Sequence, residues 1–458
     1  MFEKIFHFRE RNARMKTEII AGATTFMTMA YIIFVQPAVL SACGMDRGAV
    51  FVATCLSSAI GTILMGLLAN YPIAQAPAMG HNFYFAFAAI PIITLSLKEG
   101  TGTEPWQIAL GAIFISGSLF LILSFTPFIH QLIMAIPESL KNAIAVGIGL
   151  LIALVGFQWG GIVVDSPGSL LTLGNIKSTP VLLTLFGTLL MAILLVLRVK
   201  GAILWSILAT ALVGIPAGVT KYQGILSAPP TIAPTFFKLN ISGAFNVGFI
   251  TIIFTFFILD FFDTIGTLIG VSEKAGFIKK DGSLPRSKQA LQADALATIS
   301  GAILGTSTVT SYVESAAGIS EGGRTGFANI VTGLLFIVAL FFAPVVSMIG
   351  STYFYQMTLP DGSVLDLQLY PVIAPALIIV GFLMMSSVTR IDWNDLTEAI
   401  PAFLTIVMMP FSGFSITEGI AFGFISYTLL KLFTGKLKQV HWLIVLFAAL
   451  FIIRYIVT

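Results

Sequence analysis

Apolar runs of about 20 residues, parted by short polar stretches, recur along the whole 458-residue chain. A run of about that length crosses the hydrocarbon layer as a helix. The pattern predicts spanning helices at 18–39, 48–69, 107–126, 137–157, 179–198, 201–219, 243–271, 290–305, 326–349, 371–388, 396–411 and 415–433. Two further segments, 77–92 and 314–323, follow irregular stretches and read as short or half helices, which makes fourteen elements. A last apolar segment, 441–457, is long enough either to span or to lie on the membrane surface. Residues 18–39 end in Leu40-Ser-Ala-Cys43, a lipoprotein-like ending, but their apolar stretch exceeds the roughly 7–15 residues of a signal segment. They are read as the first span.

Composition agrees. Hydrophobic residues form 57% of the chain and charged residues 10%, against about 25% charged in soluble domains. Mean hydropathy is +0.97. A net charge of +3 excludes nucleic acid as a natural partner. Cys43 and Cys55 have no metal or redox spacing, and the four histidines form no ligand pair. Counting loops from a cytoplasmic N-terminus puts 18 Lys and Arg on the cytoplasmic side. Five fall outside: Arg47, Lys98, Lys177, Lys221 and Lys238. That is the expected positive-inside bias. In the outer loop 350–370, Pro360-Asp361-Gly362 signals a turn.

The two halves echo each other. Gly61 to Gly66 resembles Gly301 to Gly305, and Asn70 to Gly80 matches Thr308 to Gly318. Pro137 matches Pro371, and Gly201 matches Gly419. Seven elements per half is odd, so the second half runs inverted. Inverted repeats with interrupted helices mark transporters, with the site near the midplane.

Against this apolar background stand three buried acids, Asp260, Asp263 and Glu314. A carboxylate at membrane depth costs roughly 2.5–3.5 kcal/mol, so three cost about 8–10 kcal/mol. Asp260, Asp263 and Thr267 share one helix face at i, i+3 and i+7, with Gly266 and Gly270 beside them to admit a neighbour or ligand. Thr306 to Val313 is rich in β-branched residues and reads as extended chain. Glu314 then opens a short helix, where free N–H groups favour a carboxylate. Extended backbone at this depth is tolerated only inside protein or along a cavity. The matching stretch, Asn70 to Asn82, contains Pro72 and Pro77, which forbid a continuous helix. Its Asn82 is placed either to hydrogen-bond a substrate or to tie helices together. His81 suits a proton relay or, more simply, a hydrogen-bonded structural histidine. Thr24, Thr28 and Tyr31 share a face of the first helix, with Phe26 beside them to stack on a flat ligand.

Four motifs carry a family resemblance: Lys16-Thr-Glu-Ile-Ile-Ala-Gly-Ala-Thr-Thr-Phe-Met-Thr-Met-Ala-Tyr31, Ala76-Pro-Ala-Met-Gly-His-Asn82, Asp260-Phe-Phe-Asp263-Thr-Ile-Gly266-Thr, and Thr310-Ser-Tyr-Val-Glu-Ser-Ala-Ala-Gly318. The chain resembles the nucleobase–ascorbate transporter superfamily, most closely its AzgA-like purine permease branch. The resemblance implies an all-α polytopic membrane protein with a seven-plus-seven inverted repeat. The repeats are expected at 1–225 (core helices 18–126, gate helices 137–219) and 240–435 (core helices 243–349, gate helices 371–433). It implies proton-coupled purine uptake across the cytoplasmic membrane, without a cofactor, often by a homodimer. By position, Glu314 looks like the carboxylate that holds the purine edge. Asp263 and Asp260 look like the acidic pair for substrate and proton. Val313 and the backbone at Gln75 and Ala76 resemble main-chain contacts, and Asn82 matches the family asparagine. The chain departs from the pattern at Ala78, usually glycine, and Phe83, usually alanine. An anion transporter of the same architecture is the alternative, though Glu314 would repel an anion. An intramembrane aspartyl hydrolase is disfavoured because Asp260 and Asp263 lie on one helix, and a channel because interrupted repeats suit alternating access.

Overall fold

The computed structural model describes residues 2–97, 102–126, 137–166, 170–245, 249–279, 284–358, 364–413 and 415–457. The turn expected at 360–362 lies outside them. The first half runs α1 (Phe2–Phe6), α2 (Met15–Met29), α3 (Ile32–Ser41), α4 (Arg47–Leu68), β1 (Gln75–Pro77), α5 (Met79–Tyr84), α6 (Ile90–Ser96), α7 (Pro105–Ser124), α8 (Glu138–Trp159), β2 (Val163–Ser166), β3 (Leu170–Leu173), α9 (Thr179–Val196) and α10 (Ala202–Gly214). The second half runs α11 (Ile241–Ala244), α12 (Ile250–Ala275), α13 (Ser287–Leu304), β4 (Val309–Ser311), α14 (Ser315–Ser320), α15 (Phe327–Ala339), α16 (Ala343–Ile349), β5 (Tyr353–Thr358), β6 (Val364–Leu369), α17 (Ala374–Met384), α18 (Leu396–Phe411), α19 (Ile416–Phe433) and α20 (Trp442–Val457). Among the described residues, eight helices are long and apolar enough to cross a membrane.

Each expected helix is found, with corrections that have local causes. The helix expected at 243–271 is two: α11 ends at Ala244, and α12 begins at Ile250 and runs on to Ala275. Gly276, at φ 70°, stops it in a backbone region that L side chains avoid. The first span breaks after Met29, and Pro37 sits inside α3. The segment expected at 77–92 runs to Ser96 through a widened turn at Phe85–Ala89. The short helix expected at 314–323 covers only Ser315–Ser320. Two hairpins were not foreseen, β2–β3 and β5–β6. Asn175 bridges them by donating to the Tyr355 hydroxyl at 2.9 Å.

Two helix groups pack separately. In one, α4 lies against α13 and α15, α7 against α12 and α13, and α2 against α14 and α15. In the other, α8 lies against α17 and α18, α18 against α19, and α9 against α10 and α17. Lipid tails are as apolar as side chains, so such helices join by close backbone approach at small residues. Each group shows this. A Cβ on Gly326 would lie 2.0 Å from the Gly66 carbonyl oxygen, and one on Gly381 2.5 Å from that of Gly149. The last helix, α20, lies antiparallel along α19: Phe447 and Phe451 pack on Phe424, and Arg454 pairs with Glu418 at 2.7 Å. It therefore runs through the same depth as α19 rather than flat on a surface.

Candidate functional site

The two extended stretches meet. β1 and β4 pair antiparallel, with Gln75 opposite Ser311, Ala76 opposite Thr310 and Pro77 opposite Val309. Ala78 N–H donates to Thr308 O at 3.0 Å, and Tyr312 N–H to Ala74 O at 2.9 Å. Much of the backbone expected to be free for a ligand is therefore spent joining the repeats. Neighbouring helices serve the rest: Thr62 on α4 holds both the N–H and C=O of Gln75 at 2.9 Å, and Thr298 on α13 donates to Val309 O at 2.9 Å.

Beneath this crossing lies Asp294, a carboxylate that helix-end counting passed over. It is fully buried. It accepts from Gln75 Nε2 at 2.8 Å, Ser311 Oγ at 3.0 Å and Thr264 Oγ1 at 2.6 Å. One side chain of α13 thus ties together α12 and both strands. The available sequence signal was an Asp flanked by alanines, one turn before Thr298, inside an apolar helix stretch.

The structure does not bring Asp260 and Asp263 together as a matched pair. Asp260 is fully buried and accepts from Thr298 Oγ1 at 3.0 Å. Asp263 keeps 39% of its side chain exposed and accepts from Thr310 Oγ1 at 3.1 Å. Glu314 caps the start of α14, half-buried. Its Oε1 receives the Tyr31 hydroxyl at 2.6 Å. Among the described residues no Lys or Arg forms an ion pair with Glu314 or Asp263, and the two carboxylates are close enough for their charges to act on each other.

The remaining expected residues surround this point. Val313 is 58% exposed, in the turn before α14. Ala76 and Gln75 are fully buried in the strand pair, and Thr267 is buried one turn beyond Asp263. Asn82 accepts from the Ser307 hydroxyl, and Gln36 donates to Thr306 Oγ1 at 2.8 Å and Ser307 Oγ at 3.0 Å. Asn82 thus links the half motifs through its Oδ1, while its Nδ2 has no hydrogen-bond partner among the described residues. Phe26 packs edge-on to Phe336 at 5.1 Å. A crevice follows. Asp263, Gly266, Gly270 and Glu273 form an open stripe down one face of α12, and nothing lies within 4 Å of a Cβ built on either glycine. Beyond α5, Phe83 stacks with Phe87 at 5.8 Å and meets Trp159 at 6.4 Å, and Trp159 meets Tyr370 at 4.5 Å.

Buried acids where broken segments of two repeats cross in an apolar helical protein are the arrangement of a membrane transporter. The chain belongs to the Permease family, the nucleobase–ascorbate transporters, whose description fits residues 16–353. Its members are transporters and not enzymes. The chain is 44% identical to the adenine permease AdeP of Escherichia coli over 456 residues, 100% of this chain and 96% of that protein. It is also 44% identical to the guanine/hypoxanthine permease PbuG of Bacillus subtilis over 463 residues, 98% of each. The transmembrane domain of the cyanobacterial bicarbonate transporter BicA superposes with a TM-score of 0.62 at 13% identity, covering 90% of this chain and 98% of that one. That likeness establishes the seven-plus-seven inverted-repeat fold.

Proposed function

We propose that the protein is a proton-coupled symporter for purine nucleobases in the cytoplasmic membrane, with its N-terminus in the cytoplasm. Glu314 carries this reading: beside the open stripe of α12, which we take as the substrate crevice, it is a carboxylate oriented by a tyrosine and, among the described residues, not ion-paired with Lys or Arg. Such a group suits a neutral ring with N–H donors along one edge. Charge-assisted hydrogen bonds of this kind contribute about 1.5–3 kcal/mol each. The exposed turn at Val313 supplies main-chain groups beside it, and Asp263 lies across the crevice, able to hold the proton. The names of the adenine and guanine/hypoxanthine permeases support the class of cargo. The excess of Lys and Arg on the side of Lys274 and Arg324 supports the orientation. By that orientation the crevice opens inward, and the Phe83–Trp159–Tyr370 column shuts it outward. The helix group with α12 and α14 is the body that carries substrate past the group with α8 and α18.

Radiolabelled uptake in cells lacking purine transport tests the proposal. Each natural nucleobase competes in turn, then sulfate and a dicarboxylate, with and without a proton uncoupler. Purines alone should compete, and the uncoupler should abolish accumulation. Competition by the anions would overturn the cargo, and accumulation that survives the uncoupler would overturn the coupling.

A further inference from the structure

His81 does not behave as the hydrogen-bonded structural histidine that its sequence setting allows. It is 2% exposed on α5, and neither ring nitrogen has a hydrogen-bonding partner among the described residues. A buried polar atom left so costs about 1–3 kcal/mol, and such an atom calls for an explanation in function. Its Nδ1 lies 4.0 Å from Asp263 Oδ2.

The surroundings isolate this pair. The helices packed on α5 are α3, α8 and α12. Helix α3 contains no titratable side chain. Helix α8 has Glu138 and Lys141 in its first turn and none beyond. Helix α12 has Asp260, Asp263 and, at its far end, Glu273 and Lys274. Asp260 is turned to Thr298. Of the nearby tyrosines, Tyr84 packs on Phe256, and Tyr312 donates to Pro77 O. Glu314 bears on Asp263 but is taken up by Tyr31.

We propose that His81 is a second proton-binding group of the transport site, sharing one transported proton with Asp263. The proposal rests on the proton-coupled reading above. In the exchange, the O–H bond at Asp263 Oδ2 breaks and an N–H bond forms at Nδ1 of neutral imidazole. The products are a carboxylate and an imidazolium. Either placement leaves the pair with zero net charge, so the pair itself adds no uncompensated charge to the loaded carrier. The two groups titrate as a pair.

The sign follows. With His81 present, one proton has two homes, and the ion-paired form is held by attraction. Without it, only Asp263 remains, so loading needs a lower pH. The test uses purified full-length protein and follows equilibrium purine binding against pH, with uptake in vesicles alongside. His81→Asn and His81→Gln should each lower the midpoint by about one unit, a tenfold loss of proton affinity, while keeping full capacity in acid. In an Asp263→Asn background, replacing His81 should produce no further shift. In the unmodified protein, the infrared bands of imidazolium and carboxylate should titrate together, a readout that needs no variant. An unchanged midpoint, a loss of binding at every pH, or bands that titrate apart would each overturn the proposal. Uptake indifferent to the proton gradient would sink the coupling reading instead, and the binding midpoints would still decide the role of His81.

Discussion

The two broken segments share one geometry and carry opposite chemistry. β1 with α5 and β4 with α14 are strand-then-helix units that pair antiparallel through the strands. The first brings Gln75, His81 and Asn82, all buried, and its helix continues past Phe83 and Phe87 to Ser96. The second brings Glu314 and an exposed Val313, and its helix ends after six residues. Glu18 on α2 then ties down the chain after that short helix, accepting from Arg324 N–H at 2.8 Å and Thr325 N–H at 3.3 Å. Inversion of a repeat conserves backbone while leaving each copy free to specialise. On the reading proposed above, one copy seals and the other binds.

The largest expected effect breaks the binding copy. Glu314→Gln keeps the shape and the Tyr31 contact but removes the charge that two ring N–H groups would meet. Losing charge-assisted bonds worth about 1.5–3 kcal/mol each should weaken purine binding at least a hundredfold, measured by radioligand titration of membranes with confirmed protein content. Unchanged affinity would end the distinction between the copies. Next comes the joint. Asp294→Ala strands the donors of Gln75, Ser311 and Thr264 in a buried site. Each orphaned group costs about 1–3 kcal/mol, so the melting temperature in detergent should fall by several degrees. A variant as stable as the parent would show that the strand crossing does not depend on that carboxylate.

The sequence disclosed the layout because lipid enforces a strict rule: every backbone group must be satisfied within the protein. That rule turns hydropathy into spans, and proline with β-branched residues into broken ones. Glu314 and Asp263 were legible as charges without nearby cations. Three things were not. Asp294 sits eight residues into α13, a place that reads as a helix end until the tertiary fold buries it. The hydrogen bonds that hold Asn82 to Ser307 and Gln75 to Asp294 were hidden, because the antiparallel crossing joins residues more than 200 positions apart. The split between Asp260 and Asp263 depends on which neighbour each meets, and helical spacing alone gives them one face.

The smallest expected effect sharpens the sealing copy. Phe83 is fully buried between Phe87 on its own segment and Trp159 of α8, while Gly80, one turn earlier, would meet Ile148 at 3.0 Å if it bore a Cβ. On the proposed orientation, the Phe83–Trp159 contact belongs to the outward-shut state and favours it over the outward-open one. Family resemblance puts alanine at this position, so Phe83→Ala should fold. Truncating a packed Phe removes about 3–5 kcal/mol where the site cannot collapse, and a fraction of that near 1.4 kcal/mol shifts the two-state balance about tenfold. A cysteine at position 148, with Cys43 and Cys55 replaced by serine, should react with an external membrane-impermeant maleimide about ten times faster in the Phe83→Ala background. If the rate does not change, the outer seal lies elsewhere, and the bulk at residue 83 is packing within the first copy alone.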